Sequence, residues 1–124
     1  MTEISEMTNE ELNNAVAVEV MGWKKYIPPG DEKFAKYVLN DNLELAHYCF
    51  SWKPTENNDA AWQVAERINK LGYLVIIKTW PKEYGNLPSC SLVNKDNDRA
   101  FSIATTANRA ICEAALMATR NKKG

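Results

Sequence analysis

The chain has 124 residues, a hydrophobic share of 45%, an aromatic share of 10% and a formal net charge of −1 at pH 7. This length holds a single domain, residues 1–124, and the apolar content excludes a disordered chain. A charge so near zero excludes binding of nucleic acid or of an acidic membrane through the overall field of the protein.

Residue usage also limits the location and the chemistry. No run approaches the ~20 apolar residues of a membrane span, so we expect no membrane association and a cytoplasmic location. The cysteines Cys49, Cys90 and Cys112 are odd in number and lack CxxC spacing, which favours reduced, buried thiols. His47 is the single histidine, so we expect no metal site, and no cofactor motif is present.

The first helix begins at the capping box Thr8-Asn-Glu-Glu11, with Met7 and Leu12 at hydrophobic-staple spacing. Gly22 is placed to end this helix. Its apolar stripe consists of Leu12, Ala15, Val16, Val20 and Trp23.

Residues 24–57 leave two interpretations open. The sequence Ile27-Pro-Pro-Gly30 predicts a turn. Short strands are predicted over 34–39 and 46–52, while a helix over 31–39 is the alternative because Asp and Glu open that segment.

A second helix is predicted over Asp59–Leu71, capped by Asn57 or Asn58 and closed by Gly72. Its predicted buried stripe comprises Ala61, Val64, Ala65, Ile68 and Leu71. Among the tryptophans, we expect Trp23, Trp62 and Trp80 in or beside the core. Trp52, just before Lys53-Pro54, is a candidate surface aromatic for a ligand or partner, and nothing in the local sequence decides whether it is exposed.

Three strands follow. Tyr73–Trp80 is rich in β-branched residues and is predicted to be a central strand, followed by strands at Ser89–Asn94 and Arg99–Ala104. A last helix is predicted from about Ala107 to Arg120. Sequential strands with short loops favour an antiparallel meander. We therefore predict an α+β fold in which an antiparallel three- to five-stranded sheet carries helices on both faces, an α/β/α sandwich.

A candidate anion site follows from this topology, because the 81–88 loop and the 104–106 junction meet at one end of the sheet. The helix start at Thr105 and Thr106 offers free N–H groups, and Arg109 in its first turn is electrostatically misplaced unless an anion arrives. A nearby lysine would add charge, and an aromatic ring would stack on a base. The predicted ligand-binding residues are Trp80, Lys82, Tyr84, Thr105, Thr106 and Arg109.

The same residues also fit a purely structural interpretation. Arg109 can pair with Glu113 one turn on, or with Glu83, while Lys82 and Tyr84 serve as ordinary loop residues.

In four places the chain resembles the phage ABA sandwich domain of small phage and prophage proteins: residues 15–23, residues 58–62 with Glu66, the paired strands after Gly72, and Thr105–Ala118. The resemblance implies the architecture, a phage context and an absence of catalysis. Ala107-Asn108-Arg109 stands where the family tends to have a proline-containing helix start.

We therefore predict a non-enzymatic phage protein of the host cytoplasm that captures a small anionic ligand. By analogy with counter-defence factors, that ligand would be a nucleotide immune signal. The first alternative is a protein-interaction module that docks on a host or phage protein through residues 24–57. A hydrolase using Cys49 and His47 is a third interpretation. A homo-oligomer is compatible with each of these.

Overall fold

The first helix forms where the capping box predicts it. The computed structural model describes residues 3–123, apart from the side chains of residues 82, 122 and 123. Helix α1 spans Asn9–Ala15. The Thr8 hydroxyl accepts a 3.1 Å bond from the Glu11 amide, and the Thr8 amide donates a 2.9 Å bond to the Glu11 carboxylate. A π-helical turn, Val16–Val20, continues α1, and Gly22 with φ +76° ends it.

The uncertain segment 24–57 folds into a small antiparallel sheet. Its strands are β1 (Lys24–Tyr26), β2 (Lys36–Val38) and β3 (Leu45–Tyr48), in the order β1-β2-β3. The strand interpretation is thus confirmed for β2 and β3, whereas β1 was not predicted. The helix alternative for 31–39 is wrong, because only a short 3-10 turn forms there, at Glu32–Phe34.

Helix α2 spans Asn58–Lys70. The Asn57 side chain caps it by accepting a 2.9 Å bond from the Ala60 amide, and Gly72 with φ +102° turns the chain into the next strand. The predicted stripe is buried except for Leu71, which is 41% exposed.

A second antiparallel sheet contains β4 (Tyr73–Lys78), β5 (Ser89–Asn94) and β6 (Arg99–Ile103), in the order β4-β5-β6. The prediction that the strand after Gly72 is central is wrong. Consecutive hairpins place the middle strand, β5, between the other two, so β4 has β5 as its single neighbour in the described chain. Helix α3 then runs over Ala107–Lys123.

These elements confirm the predicted α+β class, with three helices and two antiparallel three-stranded sheets. Helix α3 packs against β5, β6 and α2. It covers the sheet face that carries the buried residues Cys90, Leu92, Ala100 and Ser102. The opposite face of the same sheet bears Leu74, Ile76, Phe101 and Ile103, all of them exposed.

Trp23 packs against the core as predicted, but the burial of the other tryptophans differs from what the sequence suggests. Trp52 is 1% exposed, and its indole N–H donates a 3.1 Å bond to the Asn13 carbonyl, which satisfies the polar atom inside the core. Trp62 and Trp80 are 60% and 46% exposed. Trp62 lies beside, not on, the buried stripe of α2, and Trp80 follows the end of β4.

Candidate functional site

The backbone places the predicted anion site at one end of the second sheet, as the topology requires. Lys78 pairs with Ser89, and Ser89 pairs with Ile103, so the loop after β4 and the start of α3 share that end. The Ala104 amide donates a 3.1 Å bond to the Pro88 carbonyl and joins the two segments.

The side chains, however, do not converge there. Thr106 caps α3 by accepting a 3.1 Å bond from the Arg109 amide, and Thr105 is exposed. Trp80 and Tyr84 are exposed, and neither ring stacks on another aromatic ring among the described residues. The side chain of Lys82 lies outside the described part of the chain.

Arg109 instead points toward the N-terminal segment. Its Nε donates a 2.7 Å bond to Glu113, one Nη donates 2.6 Å to the Asn9 side chain, and the other Nη donates 2.6 Å to the Met7 carbonyl and 3.5 Å to the Ser5 carbonyl. Four of the five guanidinium N–H donors thus have protein acceptors. The structural interpretation, a pair with Glu113, is confirmed.

The other partner in this network, Glu113, is buried, with 4% of its side chain exposed. Its second oxygen accepts a 2.6 Å bond from the Ser102 hydroxyl on β6. A carboxylate removed from water requires such partners. Arg109 therefore links α3, β6 and the segment before α1, and it is unavailable as a ligand-binding cation in this arrangement.

Sequence reasoning missed a cluster of aromatic rings behind the first sheet. Trp23 and Trp52 meet edge to face with centroids 4.7 Å apart, and His47 lies 5.3 Å from Trp52. Tyr37 completes the cluster at 6.0 Å from Trp23 and donates a 3.0 Å bond to Asn14. These contacts fix the first sheet against α1.

The outward side of the first sheet carries further aromatics. Tyr48 and Phe50 stack with centroids 5.4 Å apart, and Lys36 lies 5.8 Å over the Tyr26 ring. Phe50 is 62% exposed. We call Tyr26, Lys36, Tyr48 and Phe50 the aromatic surface. Its residues come from β1, β2, β3 and the 3-10 turn Cys49–Ser51, so only the pairing of the three strands brings them together.

A cleft of about 620 Å³ adjoins the aromatic surface at Phe50. Its charged lining comprises three carboxylates, from Glu10, Glu11 and Glu56, and the two amines of Lys25 and Lys53. Neither lysine makes an ion pair within the described residues. The mixture of charges suits the polar rim of an interface better than it suits a small anion.

Cys49 and His47 do not form a nucleophile pair. Strand β3 ends at Tyr48, and Cys49 begins the 3-10 turn Cys49–Ser51, so the expected alternation stops between them. His47 Nδ1 lies 3.1 Å from the Ser51 hydroxyl. Burial raises the pKa of the Cys49 thiol, although Lys25 and a bond to Tyr37 act in the opposite direction, so the reactive thiolate is disfavoured.

Among the described residues, no group of three or more His, Cys, Asp or Glu side chains has the arrangement of a metal site. No helix in the described chain has the length and apolar content that a membrane crossing requires. The cysteines are free; Cys90 and Cys112 are buried as expected, whereas Cys49 is only partly buried.

In a comparison with known families, the model of the phage ABA sandwich domain matches residues 14–116. The chain belongs to this family. The match spans both sheets, α2 and most of α3, so the phage ABA sandwich architecture includes the first sheet that sequence patterns left undecided. Neither a curated protein nor a solved structure matches the chain. For this phage ABA sandwich protein, membership supports the fold and the phage context and carries no defined activity.

Proposed function

We propose that this protein acts without catalysis, by binding another protein through the aromatic surface. The observation that carries the proposal is the exposed, stacked pair of Tyr48 and Phe50, which has the residue type and exposure of an interface anchor. A cluster of the buried Trp52 with the half-buried Trp23 and His47 supports the sheet from behind. A rigid anchor loses little entropy on binding.

The charges around the surface indicate the chemistry of the partner. Lys36 lies within the aromatic surface, and Lys25 lines the adjoining cleft. Both lack a carboxylate partner in the described part of the chain. A protein segment with an apolar side chain next to a carboxylate would cover the rings and neutralise these amines.

Capture of a small anionic ligand, including a nucleotide immune signal, stays a prediction from the sequence. Its central residue, Arg109, has internal acceptors. If these bonds broke to free Arg109 for a ligand, the buried Glu113 carboxylate would lose its cationic partner. The geometry therefore favours the protein-interaction alternative.

The test begins with recovery of a stoichiometric partner from infected cells and its reconstitution with purified chains. We expect Phe50→Ala to weaken the reconstituted complex at least about 30-fold, the scale of a hot-spot truncation. Lys36→Glu should slow association and reduce its dependence on salt. Trp80→Ala is the matched control, since Trp80 is an exposed aromatic outside the aromatic surface, and it should leave affinity unchanged.

Two results would overturn the proposal. One is a complex that Phe50→Ala and Lys36→Glu leave intact. The other is a nucleotide that raises the melting temperature of the wild-type protein with no protein partner present, because ligand at 100 times its dissociation constant adds about 2.7 kcal/mol to the free energy of unfolding.

A further inference from the structure

We propose that a second copy of this chain binds along β4, giving a two-fold symmetric dimer in which two three-stranded sheets become one six-stranded sheet. This interface is separate from the aromatic surface, and it does not depend on the function proposed above.

The free edge of the second sheet is long and apolar. Strand β4 has six residues, and its exposed side chains include Leu74, Ile76 and Ile77 at 57%, 40% and 37%. Edge strands that stay solvated are usually protected against pairing with another chain by charges, proline or bulges. Within β4 only Lys78, at its end, offers such protection, and the register with β5 is regular throughout.

An apolar groove follows the same edge. It has a volume of about 510 Å³ between α2 and β4. Trp62 projects at its rim, 60% exposed, next to Leu74 and Val75. Tryptophan dominates the energetics of many interfaces, and an exposed one beside an open strand edge indicates a partner that covers both.

The sequence of β4 fits a second copy of itself. A two-fold axis through Val75, perpendicular to the sheet, places Leu74 of one copy opposite Ile76 of the other. It also places Tyr73 opposite Ile77. Each pair lies two residues apart in sequence, so both members face the same side, as antiparallel pairing requires. The pairs with both members inside β4 are apolar or aromatic, and Lys78 lies opposite Gly72 of the other copy.

The charges of the groove are also self-complementary. Glu66 and Lys70 lie one turn apart on α2 and both line the groove. Neither makes an ion pair within the described residues. Two-fold symmetry runs the α2 helices of the two copies in opposite directions, so Glu66 of each copy can meet Lys70 of the other. A self-complementary patch is what an isologous interface requires.

The other edge of this sheet, along β6, has different surroundings. The groove beside β6 is lined by Glu3, Ile4 and Ser5 of the same chain together with Phe101 and Ile103. Helix α3 also contacts the N-terminal 3-10 turn Ile4–Glu6. Residues of the N-terminal segment thus lie across a groove from β6, whereas none of the residues that line the β4 groove comes from that segment.

Sedimentation of the full chain over a micromolar to millimolar range tests the proposal. We expect a species of twice the 14.0 kDa mass of one chain, in reversible equilibrium with the monomer. Backbone amides of β4 should exchange more slowly with solvent as concentration rises, while those of β1 should not change.

Variants that add or exchange charges at the proposed dimer interface test it directly. Ile76→Lys introduces two charges into the paired edge and should weaken dimerisation at least about 100-fold. Ile103→Lys, at an exposed position on β6 and on the same sheet face, is the matched control and should dimerise as the wild type does. Glu66→Lys should weaken the dimer, and the double exchange Glu66→Lys with Lys70→Glu should restore it.

A wild-type chain that stays monomeric at millimolar concentration would overturn the proposal, as would a dimer unaffected by Ile76→Lys. If Ile76→Lys does not fold, the helix variants decide instead. Failure of the double exchange to restore what Glu66→Lys removes would then refute the two-fold arrangement.

Discussion

Arg109 and Met7 lie 102 positions apart in the sequence, yet the Arg109 guanidinium donates a 2.6 Å bond to the Met7 carbonyl. This contact holds the chain immediately before α1 against the last helix. Met7 itself packs on the core cluster. The cation that looks misplaced at a helix start is therefore compensated by carbonyls and a carboxylate of its own protein.

We expect Arg109→Ala to lower the free energy of unfolding by about 3 kcal/mol, because it leaves the buried Glu113 carboxylate with one neutral donor. Urea denaturation measures the loss. Arg120→Ala is the control: its pair with Glu19 is 34% and 27% exposed, so the loss should stay below about 1 kcal/mol. Equal losses of stability in the two variants would contradict the stabilising role of the Arg109 hydrogen bonds.

Thr106→Ala should cost about 1 kcal/mol of stability, since it removes the oxygen that accepts from the Arg109 amide at the start of α3. The neighbouring Thr105 is exposed and has no side-chain hydrogen bond among the described residues. Thr105→Ala should therefore change stability by less than about 0.5 kcal/mol. Thermal unfolding of both variants checks whether Thr106 alone caps the helix.

A matched tryptophan pair tests the reversed burial of Trp52 and Trp62. Trp52→Ala should lower the free energy of unfolding by about 4 kcal/mol, because it opens a cavity in the core and removes one of the two hydrogen bonds that the Asn13 carbonyl accepts. Trp62→Ala, from a 60% exposed position, should cost less than about 1 kcal/mol when measured at concentrations that keep the chain monomeric. The opposite order would contradict the described core.

The features that sequence patterns predicted are those set by local chemistry. The capping box at Thr8, the Asn57 cap and the glycine ends at Gly22 and Gly72 each depend on neighbours within a few positions. The family resemblance added the class of fold, which the match over 14–116 confirms.

The features that the sequence did not reveal depend on distant partners. Trp52 can be buried because the Asn13 carbonyl, 39 positions away, accepts a hydrogen bond from its indole N–H. Arg109 finds Asn9 and Met7 across most of the chain. The position of Arg109 at a helix start reveals its charge relative to the helix dipole. It does not reveal which carbonyls the folded N-terminal segment brings within reach of the guanidinium.

Two buried thiols make stability depend on alkaline pH. Burial raises the pKa of Cys90 from 9.0 to about 11 and that of Cys112 from 9.0 to about 12. Since the unfolded chain loses these protons first, the stabilisation is complete below pH 9 and is lost as pH rises toward the folded values. Each thiol adds a slope of about 1.4 kcal/mol per pH unit within that window.

Urea denaturation between pH 8 and pH 10.5 should therefore show falling stability in the wild type and a shallower fall in Cys90→Ala. The difference between the two curves isolates the contribution of this one thiol. Cys49→Ala is the useful comparison. Because Cys49 is less buried, its removal should flatten the dependence of stability on pH less than the removal of Cys90 does. If Cys90→Ala and the wild type have parallel curves, the Cys90 thiol does not resist ionisation in the fold.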